Sequence, residues 1–262
     1  MFDAFIFQVK WPGRCQVIRA GSEGLPANKL PPNVALFVDG AHTRESVVAC
    51  AEWFADESAK LNAAASSKSQ VVNFLLFNCG HERNPFELLE PLIRLGFASA
   101  HPVQFQRVLF CPFDHDRTSL SEPPSADKLA RIWKRGWHPA LSARAATDDG
   151  DLKANGVAAA KPCAWQHTLA TVWDSVSLDL LESEPAKGGG EFAATTLSSL
   201  HQHYPHQLTV HASAAEALQS ILQEVGAALE DAAESVPKTA RVLVNGSLYL
   251  VGNVFAALDF RL

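Results

Sequence analysis

Val34-Ala-Leu-Phe-Val-Asp-Gly-Ala-His-Thr43 decides the fold. Val34 to Val38 is an unbroken apolar run of strand length, Asp39-Gly40 is a turn signal, and Thr43 is placed to cap a helix. Beyond it Val47, Ala51, Phe54 and Leu61 recur at helical spacing. The same reading repeats along the chain. Val71–Phe77, Arg107–Cys111, Gln207–His211 and Arg241–Val244 are further near-continuous apolar runs, the signature of strands buried on both faces of a parallel sheet. Between them Trp165, Leu169, Val172, Trp173, Val176 and Leu180 form one helical stripe. Ser213 with Glu216 makes a capping box ahead of Leu218, Ile221, Leu222, Val225 and Leu229. Strands alternating with helices imply right-handed crossovers and an α/β fold: a Rossmann-like, mostly parallel sheet with flanking helices.

The expected organisation is a lead-in over residues 1–33, with Pro12, Pro26, Pro31 and Pro32, followed by a single domain over 34–262. Two low-complexity stretches interrupt it. Residues 139–162 are rich in Ala, Asp, Gly and Lys, and 184–191 carry three consecutive glycines; both read as solvated surface insertions.

Composition narrows the function. The 262 residues are 47% apolar and 19% charged, with a net charge of −6, which argues against nucleic-acid and membrane-surface partners. Five cysteines without a CxxC pair read as reduced thiols. The start, Met1-Phe-Asp-Ala-Phe-Ile-Phe-Gln8, lacks the pattern of a signal or transit peptide, and Val242–Leu258 is broken by Asn245-Gly246-Ser247 and Gly252-Asn253. The expected setting is the cytoplasm.

In an open parallel sheet ligands bind beyond the carboxyl ends of the strands. Three strand ends carry polar groups there. Asp39 could accept from ribose hydroxyls and His42, beside a helix start, could meet a phosphate or carboxylate; a tight turn with a surface histidine fits the same residues. Asn78-Cys79-Gly80-His81-Glu82-Arg83-Asn84-Pro85 offers Arg83 to an anion, with Cys79 read as a small buried thiol and Pro85 opening a helix. Asn245-Gly246-Ser247 places Ser247 to cap a last helix, either as an anion cradle or as an ordinary turn. His201, His203 and His206 read as a solvated cluster with no carboxylate nearby in sequence, and the Trp133/Trp137 and Trp165/Trp173 pairs read as core. None of the 15 glycines precedes a lysine, so the chain has no GxxxxGK[ST] phosphate loop.

In order, Trp11-Pro-Gly-Arg-Cys-Gln16, Asp39-Gly-Ala-His-Thr43, Leu75-Leu-Phe-Asn78, Val108-Leu-Phe-Cys-Pro112 and Val242-Leu-Val-Asn-Gly-Ser-Leu-Tyr-Leu-Val-Gly252 resemble the C-terminal part of the folylpolyglutamate synthase family, in its eukaryotic form. The resemblance implies a Mur-ligase-type enzyme that extends a folate's glutamate tail. The γ-carboxylate is phosphorylated by ATP, and the amine of L-glutamate attacks the acyl phosphate. Arg14 and Asp39 would contact ATP, Asp39 at its ribose or adenosine end. His42 would be catalytic, near the phosphates and the entering glutamate, and Ser247 would hold that glutamate.

The implied ligands are ATP, tetrahydrofolate polyglutamates and L-glutamate, with Mg2+ held elsewhere in a longer protein, K+ as a further cation, and no metal ligands in this chain. The family's N-terminal ATPase domain has no counterpart here, and Asn84 stands where the family usually has Asp. The resemblance therefore implies a portion of a longer, monomeric ligase, with a mitochondrial form of the full-length protein also open. The 262 residues alone would fold but not ligate. A non-catalytic binding module and a dihydrofolate synthase-type ligase are the competing readings.

Overall fold

The structure is a computed structural model that describes residues 11–64, 70–98, 102–114, 163–183, 206–230 and 238–261. The stretches 139–162 and 184–191, Trp133, Trp137, His201 and His203 lie outside the described residues.

Six strands among the described residues form one sheet: β1 (Gln16–Arg19), β2 (Val34–Val38), β3 (Gln70–Phe77), β4 (Arg107–Phe110), β5 (Gln207–Val210) and β6 (Lys238–Asn245). Their spatial order is β1-β2-β6-β3-β4-β5. Every pairing is parallel except β1 with β2. Residues 11–33, read above as a lead-in, thus contribute an antiparallel edge strand in which Ile18 is fully buried while Arg19 is exposed.

Among the described residues five helices follow the strands: α1 (Arg44–Ala64), α2 (Pro85–Ala98), α3 (Ala164–Ser183), α4 (Ala214–Glu230) and α5 (Leu248–Ala257). The continuous apolar strands feed two cores, one on each face. One collects Phe37, Leu75, Phe77, Phe110 and Leu243 with the buried stripes of α1, α2 and α3; the other collects Leu36, Val38, Leu76, Val242 and Val244 with α4 and α5. Successive residues of β2 and β6 alternate between these cores, as side chains two residues apart share a face.

On the first face an aromatic chain ties the layers together. Phe37 meets Phe54 edge-on with ring centroids 4.9 Å apart, Phe54 stacks on Phe105 at 5.5 Å, and Phe105 meets Trp173 at 6.3 Å. Truncating any of these buried rings to alanine costs roughly 3–5 kcal/mol.

The helix starts follow local sequence. Thr43 Oγ1 accepts from the Ser46 amide, Asn84 Oδ1 from the Phe86 amide, Ser213 Oγ from the Glu216 amide and Ser247 Oγ from the Tyr249 amide. Glu216 also accepts from the Ala212 amide, closing the capping box. Asn84 is thus a helix cap, a task its amide oxygen performs as well as a carboxylate.

The topology has one reversal. From β2 to β5 the helices lie on the first face; the crossover through α4 then returns on the other face and inserts β6 between β2 and β3. That insertion brings the carboxyl ends of β2, β6 and β3 side by side, where a doubly wound sheet opens a crevice.

Candidate functional site

One cleft lies at this carboxyl edge and a second runs along the edge strand. The first, about 630 Å3, is bounded by His42 after β2, by Gly246, Ser247 and Tyr249 after β6, by Asn78 to Arg83 after β3, by Phe113 after β4, and by Trp165 and Gln166 in the first turn of α3. The second, about 750 Å3, lies along β1 and includes Trp11, Arg14, Cys15 and Arg261. Among the four residues singled out from sequence, His42 and Ser247 share the first cleft and Arg14 lines the second.

Asp39 is placed differently from a direct ligand contact. It is 5% exposed and lines neither cleft. Its Oδ1 accepts the Ala41 amide at 2.8 Å and pairs with Arg14 Nη1 at 3.4 Å; its Oδ2 accepts the Cys15 amide at 2.8 Å and the Cys15 thiol at 3.2 Å. A carboxylate offers about four acceptor positions, and the chain's own donors fill them. The group of this pair that reaches a cleft is the Arg14 guanidinium, with Asp39 holding it. Burial, and then the Asp39 carboxylate, push the Cys15 thiol up to about 11. Cys15 is therefore a poor nucleophile.

His42 is oriented by its own turn. Its Nδ1 lies 2.9 Å from the Gly40 carbonyl, which can only accept, so Nδ1 is a protonated nitrogen and the ring is held in one orientation. Beside it Gly246 has φ +104, and a Cβ there would strike the Asn78 carbonyl and the Phe77 ring. Only glycine lets the β6 turn pack this tightly on the end of β3. Asn245 joins the same layer: its amide nitrogen donates to the Asp39 carbonyl and to Cys50 Sγ, each at 3.2 Å.

The far wall was not legible in sequence as part of a site. Trp165, read only as a member of a core stripe, and Gln166, which the sequence reading did not single out, are buried and tie α3 to the β3 loop. Trp165 Nε1 donates to the Cys79 carbonyl at 2.8 Å, and Gln166 Nε2 donates to Asn78 Oδ1 at 3.3 Å. His81 sits edge-on to the Trp165 ring, centroids 4.7 Å apart, and Arg83 pairs with Glu82 at 3.3 Å. The cleft therefore carries two imidazoles, one guanidinium and the positive ends of two helices, a set suited to carboxylate and phosphoryl oxygens.

His206 needs a correction of another kind. It is not solvated: its side chain is fully buried and its Nε2 lies 3.0 Å from Asp174 Oδ1 on α3. The carboxylate that sequence order placed 32 residues away arrives by tertiary packing. No group of three or more His, Cys, Asp or Glu side chains able to hold a metal exists among the described residues. No helix among them is long and apolar enough to cross a membrane.

The fold and site define a Rossmann-like α/β domain with a crevice at the sheet's carboxyl edge lined by His42, His81 and Arg83. In sequence the chain is related to the folylpolyglutamate synthases. It is 28% identical to the mitochondrial folylpolyglutamate synthase of Cricetulus griseus over 263 residues, covering 95% of this chain and 38% of that protein. With the mitochondrial enzyme of Homo sapiens it shares 34% identity over 119 residues, 45% of this chain and 16% of that one. With the Candida albicans enzyme it shares 38% over 104 residues, 39% of this chain and 17% of that one.

Among solved structures, folylpolyglutamate synthase of Mycobacterium tuberculosis complexed with ADP aligns with a TM-score of 0.40 at 13% identity, covering 95% of this chain and 33% of that one. No family model matches. The chain spans well under half the length of the curated relatives it matches.

Proposed function

We propose that this chain is the C-terminal, amino-acid-binding part of a folylpolyglutamate synthase, which uses ATP to join L-glutamate to the γ-carboxylate of a folate or its polyglutamates. The observation that carries the reading is the meeting of His42, Arg83 and Ser247 in one cleft where β6 enters between β2 and β3. An alignment with the Cricetulus enzyme over 95% of the chain supports it.

In this reading a γ-carboxylate oxygen of the folate attacks the γ-phosphorus of ATP, releasing ADP and leaving an acyl phosphate. The glutamate amine attacks the acyl carbon, and the tetrahedral intermediate collapses with loss of phosphate. Ser247 and Arg83 hold the glutamate carboxylates, so that the amine is presented to the acyl carbon at a fixed angle. His42 Nε2 takes the proton that the amine loses as the C–N bond forms. Arg14 lies against the nucleotide, with Asp39 acting on it by holding Arg14. Mg2+ and K+ are implied by the resemblance alone, and the described residues hold no cluster of three or more His, Cys, Asp or Glu side chains. With no phosphate loop in the sequence, we expect the purified chain to bind glutamate without incorporating it into folate.

Calorimetric titration of the 262-residue chain with L-glutamate tests the reading. Saturable binding weakened at least tenfold by Ser247→Ala and by Arg83→Ala is expected. Binding untouched by both substitutions, or no saturable binding at millimolar ligand, overturns it.

A further inference from the structure

We propose that His81 is a second carboxylate-binding residue of the first cleft, gripping with Arg83 the side-chain carboxylate of the acidic amino acid; the inference rests on the reading of that cleft just given.

Position is the first argument. His81 lines the cleft together with His42, Arg83 and Ser247. A ligand with two carboxylates that places one at Ser247 and the start of α5 meets His81 and Arg83 with the other.

Rigidity is the second. The His81 ring rests edge-on against Trp165, which is 3% exposed and fixed by its hydrogen bond to the Cys79 carbonyl. Asn78, one turn of loop earlier, is 1% exposed and held by Gln166. The Arg83 amide donates to the Gly80 carbonyl at 3.0 Å, which closes the turn carrying His81. An imidazole so braced loses little freedom when it meets a ligand, and that makes its contact worth more.

Charge is the third. Among the described residues, the titratable and charged groups lining the cleft are His42 from the β2 turn, Cys79, His81, Glu82 and Arg83 from the β3 loop, and Tyr249 from α5. Glu82 is 69% exposed and engages Arg83 at 3.3 Å, so an arriving carboxylate takes over that guanidinium at little cost. A protonated His81 would add a second donor to the same carboxylate. A charged imidazolium grips a carboxylate more tightly than a neutral imidazole, so the proposed contact strengthens on acidification.

The test is titration of the whole chain with L-glutamate at pH 6 and pH 8, with the histidine ring resonances followed by NMR. Binding by the unaltered protein should weaken roughly fivefold from pH 6 to pH 8, the difference between a charge-assisted and a neutral hydrogen bond. His81→Gln should flatten that dependence and remove one perturbed ring resonance. His42→Gln is the parallel variant: if it flattens the dependence while His81→Gln does not, the response belongs to His42 and the inference is overturned. Ser247→Ala should weaken binding equally at both pH values. A His81→Gln protein that keeps the full pH dependence overturns this inference alone. Failure of the unaltered protein to bind L-glutamate overturns it together with the function proposed above.

Discussion

The Asp39 carboxylate holds the backbone amide of Cys15 at 2.8 Å across the start of the β1–β2 pair. Because the same carboxylate also accepts the Cys15 thiol, the Ala41 amide and Arg14, one buried side chain sets the geometry of two separate turns at the sheet edge. Asp39→Asn puts an amide N–H where donors already point, and should destabilise the fold by about 2–3 kcal/mol. It should also lower the Cys15 thiol from about 11, since Asp39 is second only to burial in raising it. Alkylation of Cys15 by iodoacetamide at pH 8.5 should therefore run faster in the folded variant. An unchanged alkylation rate would show that Asp39 does not hold Cys15.

The helix cap that Ser247 makes and the ligand contact proposed for it can be separated by substitution. As the cap of α5 it accepts the Tyr249 amide at 3.1 Å, and Ser247→Ala should cost about 1 kcal/mol in urea unfolding. Ser247→Asp keeps the cap and suits the helix dipole, so stability should hold or rise. The new carboxylate would nevertheless repel an acidic ligand from the cleft. Stability retained with glutamate binding lost is the expected outcome; glutamate binding retained in Ser247→Asp would remove Ser247 from the ligand's reach.

Much of this fold is legible in the sequence because two-sided burial leaves a plain trace. β2, β3, β4 and β6 read as apolar runs since both of their faces pack, whereas β5, at the far edge of the sheet, reads as one although it is only half-buried. The edge strand β1 escapes that reading: Gln16 and Val17 are half-buried, Arg19 is exposed, and only Ile18 is fully enclosed. Strand order is also beyond sequence pattern, because the place of β6 between β2 and β3 follows from the α4 crossover. The site divides in the same way. Asp39, His42 and Ser247 stand at strand ends and are visible locally. The Trp165 and Gln166 wall, and the meeting of His206 with Asp174, are made by segments far apart in the chain and leave no local mark.

Alkaline pH should destabilise this protein through its thiols. Burial raises the Cys50 and Cys111 thiols far above their ordinary value, and raises Cys163 and Cys15 as well. The folded state therefore holds these protons after the unfolded chain has released them. The stability is fully present below the unfolded value near 9.0 and is lost as pH climbs toward the folded values. Each fully buried thiol contributes a slope of up to about 1.4 kcal/mol per pH unit in that window. Urea midpoints should hold steady from pH 7 to 8.5 and then fall, with Cys111→Ala giving a shallower fall. A flat profile to pH 10 would contradict this.

Arg241 is buried in β6 with one hydrogen-bonding partner among the described residues, Asn62 Oδ1 at 2.6 Å, while its Nε has none. Burial and the neighbouring Arg19 charge both lower its affinity for its proton. A buried charge with no counter-ion among the described residues stabilises little, so Arg241→Met, which keeps the length of the side chain, should leave stability within about 1 kcal/mol or raise it. Asn62→Ala should cost about 1.5–3 kcal/mol by stripping a charged group of its acceptor. A large loss from Arg241→Met would mean that the guanidinium is held by more than Asn62.

Two glycines near the end of the chain should respond in opposite directions to the same added methyl group. Gly252 lies inside α5 with open space where a Cβ would stand. Gly252→Ala should therefore stabilise by about 0.5–1 kcal/mol, because alanine loses less backbone freedom in a helix. At Gly246 the backbone is in the left-handed region and a Cβ would strike the Asn78 carbonyl, so Gly246→Ala should cost more than about 2 kcal/mol. Relief by displacement is blocked, since Asn78 is pinned by Gln166 and the next carbonyl by Trp165. The strain must then open the junction between β6 and β3, the junction that forms the floor of the first cleft. Thermal melts of the two variants, paired with glutamate titrations, should show Gly252→Ala more stable with binding intact and Gly246→Ala less stable with binding weakened. If Gly246→Ala bound as tightly as the unaltered chain, the cleft would not depend on this contact.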